Sequence, residues 1–271
     1  MSSTFLFPPG STRNRLLCEI AIVLTITFGI SGLRSLFRLI DALLSPQPIN
    51  EQSVAITTSQ ADHSWIDLAL QLSSAAVLFG WGFLALYLLS APLLFTTKNS
   101  VSKEESSHHL LAPILRFFAA KDLLQGGALA ALIGFPGLLL YVAAIKFGWS
   151  KQVIPTTFDH LWWEIPVILL WSAANAFAEE VVVVMWFITR LRQLGNSVPV
   201  AIMYSAILRG SYHLYQGASA GLGNLIMGLI FGFFFYKTGR IWPLIIGHLA
   251  IDVVAFIGYA LLDGNLSFLG I

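Results

Sequence analysis

The chain has 271 residues and a formal net charge of +1, and only 11% of its residues are charged against 56% hydrophobic. A water-facing domain carries about a quarter charged residues, so that class is excluded, and the near-neutral balance leaves no basic surface for nucleic acid. The single cysteine, Cys18, excludes an internal disulfide and a cysteine-based zinc site.

Apolar runs of about 20 residues recur, the length one helix needs to cross a bilayer core. The fold class this implies is an all-α, polytopic membrane bundle of about seven transmembrane helices. Residues 1–14 are polar. The first span is expected over about Leu16 to Leu33, uncleaved, with an interfacial tail carrying Arg34, Arg38 and Asp41. A loop follows over Ser45 to Ser64. The second span, about Trp65 to Leu89, stops near Pro92. Thr96 to Ser107 reads as a polar linker, and Leu110 to Ala120 as an interfacial helix. The linker and the helices before it, residues 1–121, are separated from a core over 122–271.

The third span is about Leu123 to Ile145, with Pro136 as a kink, and Lys146 to Thr157 is a loop. Leu161 to Arg192 would reach roughly 48 Å as one helix, so it must tilt, break or project. Ala173 to Ala178 is the expected bend. The fifth span is about Val198 to Tyr212. Gly217 to Gly223 reads as a glycine-rich turn. Spans of about Leu225 to Tyr236 and Trp242 to Leu262 follow. Gly228 and Gly232 have the spacing that lets helices approach closely. Trp65, Trp149, Trp162, Trp163 and Trp242 lie near span ends, as interface anchors do. The Lys and Arg distribution favours a cytoplasmic N-terminus.

Glu179 and Glu180 stand inside the longest apolar run. A carboxylate at mid-bilayer costs roughly 2.5–3.5 kcal/mol on insertion scales, so such residues are rare and usually functional. Downstream lie Arg209 and His213, four apart, and His248 and Asp252, also four apart; each pair shares a helix face. The bland accounts are a structural buried ion pair for the two glutamates, a helix-end histidine at the interface for His213 and an interhelical hydrogen-bond clamp for His248 and Asp252. All lie in the last third of the chain, which favours one shared site. His63, His108, His109 and His160 fall in loops, where solvation accounts for them; His108 and His109 beside Glu104 and Glu105 could also bind metal adventitiously.

Two histidines, paired glutamates and an aspartate suit hydrolysis. A glutamate activates water as general base with a histidine assisting, and another histidine stabilises the oxyanion. The same groups could hold zinc through Glu179, His213 and His248, or relay protons in a transporter.

The pattern resembles the membrane-embedded CAAX prenyl endopeptidase and bacteriocin-processing proteases, the CPBP or Abi family. That family has Glu-Glu-x-x-x-Arg, then Phe-x-x-x-His, then His-x-x-x-Asn or Asp. Here they stand as Glu179-Glu180-Val-Val-Val-Val184, Arg209-Gly-Ser-Tyr-His213 and His248-Leu-Ala-Ile-Asp252, within residues 161–260. The resemblance implies a peptidase of the cell membrane acting on a peptide or protein substrate, lipidated in some members. Glu179 would activate water, His213 assist, His248 and Asp252 line the oxyanion side, and Glu180 support them. No cofactor is expected, with zinc as the alternative. A non-proteolytic scaffold, chaperone or immunity role within the family is the rival function. The family arginine is Val184 here and the family phenylalanine is Arg209. Arg209 is therefore expected to reach Glu180 from the neighbouring helix.

Overall fold

The structure is a computed structural model that describes residues 12–94, 111–115, 118–158 and 161–262. The Thr96 to Ser107 linker, together with His108, His109 and His160, lies outside those residues. The helices are α1 (Thr12–Ile26), α2 (Phe28–Leu44), α3 (Ser64–Leu94), α4 (Ala120–Lys146), α5 (Glu164–Gln193), α6 (Val198–His213), α7 (Ala218–Thr238) and α8 (Trp242–Leu261). A further helical stretch occupies 111–115.

Five of these helices are long and apolar enough to cross a membrane: α3 as far as Ser90, α4, α5, α7 and α8. The α1–α2 pair makes a sixth if taken as one broken span. The protein is thus an all-α multi-pass membrane bundle, and among the described residues the long apolar helices number five or six rather than seven. The shortfall lies in α6, whose 16 residues are below the usual spanning length.

The first span, expected over about Leu16 to Leu33, is bent. Chain direction changes by 50° at Thr27. The buried Thr27 hydroxyl donates to the Val23 carbonyl at 2.7 Å, competing with the helix ladder. Gly29 permits the bend, since a Cβ there would come 2.6 Å from the Leu24 carbonyl oxygen. Beyond this elbow α2 is strongly amphipathic and buries Gly32, Ser35 and Leu39.

The two loops read as irregular carry strands β1 (Ser53–Thr57) and β2 (Gln152–Thr156), which pair in parallel. Nor is Gly217 to Gly223 a turn. Gly217 alone has a positive φ, of 122°, and α7 begins at Ala218. Gly221 serves packing, with Gly210 and Gly228. A Cβ on Gly210 would meet the Gly221 carbonyl oxygen at 2.7 Å, and one on Gly228 would meet Ala206 Cα at 2.8 Å. Helices α6 and α7 therefore touch backbone to backbone, as small residues allow in membranes. Of the end tryptophans, Trp163 is buried and donates to the Ser64 hydroxyl, while Trp65, Trp149 and Trp162 are exposed.

Helix α5 does not break at Ala173 to Ala178. It runs on for 30 residues, and its irregularity lies just beyond, in a π-helical segment over Glu180–Trp186. There the Phe187 N–H turns to Val182 and Val184, and Ser205 of α6 donates to the bypassed Val183 carbonyl at 2.7 Å. The segment is wholly buried at the centre of the core. Widened turns of this kind recur at functional sites.

Candidate active site

Helices α5 and α6 are joined by the short connection 194–197, which makes them antiparallel neighbours. Glu180 lies 13 residues before the end of α5, about 20 Å, and Arg209 lies 11 after the start of α6, about 16 Å. The two therefore meet at similar depth. Glu180 and Arg209 are fully buried, and Glu179 is 6% exposed.

One guanidinium spans both carboxylates. Arg209 Nη2 donates to Glu180 Oε1 at 2.7 Å, and Nη1 approaches Glu179 Oε2 at 3.3 Å. Val184, where the family motif carries arginine, is buried among apolar neighbours. The Arg209 guanidinium also sits over the Phe231 ring of α7, 5.6 Å from its centroid. A single guanidinium thus faces two buried carboxylates, where removal of either partner is severe.

His248 comes from α8. Its Nδ1 lies 2.7 Å from Glu180 Oε1, the oxygen that Arg209 also engages. Its Nε2 lies 3.6 Å from Asp252 Oδ2, one turn further along α8 and beyond ordinary hydrogen-bond length. His213, at the last residue of α6, places Nε2 3.9 Å from Glu179 Oε2, and neither ring nitrogen has a hydrogen-bond partner. Side chains on a helix lean toward its N-terminus, which brings residues at the end of α6 back toward Glu179. The structure thus gathers Glu179, Glu180, Arg209, His213, His248 and Asp252 around one point.

Tyr212 is the site residue that sequence reasoning missed. Its hydroxyl donates to Glu179 Oε2 at 2.7 Å. The signal was present: Ser205, Arg209 and Tyr212 form a polar stripe at helical spacing on a mostly apolar helix.

Among the described residues, the carboxylate and imidazole groups close enough to share a metal are Glu179, Glu180 and His248, with donor atoms within 4.8 Å of one another. His213, by contrast, faces Glu179, while Glu180 faces His248. Two donors on a tetrahedral zinc lie about 3.3 Å apart. The 2.7 Å separation of His248 Nδ1 and Glu180 Oε1 is instead that of a hydrogen bond. As arranged, these groups form a hydrogen-bonded network closed by a guanidinium.

Residues 160–254 match the family model described as type II CAAX prenyl endopeptidase Rce1-like. Over that segment the chain is similar to the CAAX protease family. The matched segment runs from just before α5 to just past Asp252 and contains every residue of the cluster. The family is one of membrane proteases, hydrolases acting on peptide or protein substrates. None of the curated proteins or solved structures compared with the chain matches it.

Proposed function

We propose that this CAAX-type protease uses Glu179 to activate the hydrolytic water, with His213 assisting and with His248 and Asp252 on the oxyanion side. The observation that carries this reading is the 3.9 Å gap between Glu179 Oε2 and His213 Nε2, flanked by imidazole nitrogens with no protein partner. An oxygen atom placed there lies within hydrogen-bonding range of both groups. Glu179 takes a proton as the water oxygen attacks the scissile carbonyl carbon. His213 moves a proton to the leaving nitrogen, so the peptide becomes a carboxylate and an amine. His248 Nδ1–H donates to Glu180, and in the doubly protonated ring Nε2–H, held loosely by Asp252, is left to donate to the oxyanion. Glu180 is tied between Arg209 and His248 and has a supporting part rather than that of a base.

The reading extends to a lipidated substrate, a cell-membrane location with a cytoplasmic N-terminus, and chemistry without a metal. The decisive experiment incubates purified protein in liposomes with a fluorogenic farnesylated peptide ending in a CAAX sequence. Cleavage by wild type and its loss in Glu179→Gln support the assignment. Cleavage by both proteins refutes it, and a wild type that binds the peptide without cleaving it favours the non-proteolytic role.

A further inference from the structure

Glu179 is approached through Oε2 by three groups, and the shortest contact is made by the Tyr212 hydroxyl, at 2.7 Å against 3.3 Å for Arg209 and 3.9 Å for His213. Tyr212 is itself held from outside the family-matched segment. Its ring lies 4.8 Å from that of Phe28, the first residue of α2 after the elbow, and Phe28 is braced edge-on by Trp81 of α3 at 5.4 Å. Its carbonyl accepts from the buried Ser35 hydroxyl at 2.9 Å. Gly32 of α2 lies against Ser211, where a side chain would collide. Three consecutive features of α2, namely Phe28, Gly32 and Ser35, thus seat the end of α6.

We propose that Tyr212 is a positioning residue, which pins Glu179 by one carboxylate oxygen and is itself fixed by the α1–α2 elbow. The proposal rests on the reading of Glu179 as the base. A glutamate has three rotatable bonds, and burial in an apolar core does not by itself select one rotamer. A short hydrogen bond from a rigid phenol does, at low entropic cost. The N-terminal helices then contribute to the site through Phe28 and Ser35, although they bring no ionisable group to it.

Tyr212→Phe removes one oxygen and keeps the ring against Phe28. In the liposome assay its kcat falls on the order of ten-fold, as expected for losing a hydrogen bond to a charged group, while KM and melting temperature stay near wild type. Ser35→Ala and Phe28→Ala each lower kcat less, and neither lowers it further in the Tyr212→Phe background, because residues acting through one contact are not additive. A second readout needs no turnover. The infrared carboxylate band assigned to Glu179 by its absence in Glu179→Gln shifts in Tyr212→Phe. Wild-type kcat or an unshifted band in Tyr212→Phe, with Glu179→Gln inactive, overturns the positioning role alone. Turnover by Glu179→Gln overturns the reading beneath it.

Discussion

Two sets of carboxylate–guanidinium contacts, one part-buried and one fully buried, hold this bundle together, and they are built differently. Near the helix ends, Arg240 binds Asp122 through Nε and Nη2, and Asp122 also accepts from the Ala119 N–H. Arg190 there gives Nε to Glu19, Nη1 to Gln193 and Nη2 to the Leu88 carbonyl, while Trp186 donates to the same glutamate oxygen. Every nitrogen group of Arg190 is used, and both Asp122 oxygens are engaged. In the centre the same chemistry is left incomplete. Glu180 Oε2, Arg209 Nε and both ring nitrogens of His213 are buried without partners. A staple saturates its hydrogen bonds, because an unmet buried group costs about 1–3 kcal/mol. A site that must receive water and a peptide keeps capacity in reserve.

The contrast is tested first where the largest effect lies. Glu179→Gln preserves size and one acceptor but cannot take a proton, so turnover should fall roughly 10²–10⁴-fold, the range of general-base catalysis. His213→Ala should fall by a similar factor with the fold intact, since that imidazole makes no hydrogen bond whose loss would unfold the chain. Single-turnover cleavage by protein of normal melting behaviour measures both. Turnover near wild type in either would return the central cluster to the class of staples.

Arg209 belongs to both categories, and its removal should show both effects. Arg209→Phe leaves two buried carboxylates without a cation, which costs about 3–5 kcal/mol of stability and misplaces Glu179. Adding Val184→Arg should recover part of the loss by supplying a guanidinium from within α5. Recovery stays partial because residue 184 lies in the π-helical segment, where four residues fall short of a full turn. A double variant no more stable or active than Arg209→Phe alone would refute the substitution of one arginine for the other. The Asp122→Asn change should do less. It weakens the tie between the start of α4 and the α7–α8 connection, lowering stability by about 1–3 kcal/mol while activity per folded molecule is unchanged. A loss of kcat in fully folded protein would show that this staple also shapes the site.

Glu179, Glu180, Arg209, His213, His248 and Asp252 were legible because ionisable groups in apolar helices are expensive and stand out against their surroundings. Their convergence was legible only in part, since spacing gives a face of a helix but not the partner it meets. Tyr212 escaped because a tyrosine is at home in an apolar helix and advertises no cost. The elbow at Thr27 has no proline, and its cause is a threonine hydroxyl competing for a carbonyl, a local bond that hydropathy does not register. Strands β1 and β2 are five residues each and separated by α3 and α4, so neither has a pairing signal within its own stretch. The glycines after Gly217 misled because glycine serves both turns and close helix contacts. The choice between them rested on Gly210, on another helix.

The smallest expected effect separates the central cluster from a metal centre. Glu179, Glu180 and His248 are the donor types zinc accepts, and their donor atoms are near enough to one another. Two of the atoms are already spent. Glu180 Oε1 takes both Arg209 Nη2 and His248 Nδ1 at 2.7 Å, so a metal on that oxygen would have to displace a guanidinium and an imidazole. The charge is also partly met, since Arg209 brings one positive charge against the two glutamates. A divalent ion beside that guanidinium would place like charges together in a medium where repulsion is strong. Exhaustive treatment with a strong chelator, followed by elemental analysis, should therefore leave kcat unchanged and find less than one zinc per chain. Stoichiometric zinc, with activity lost on chelation and restored by zinc alone, would mean that Arg209 moves aside in the working enzyme.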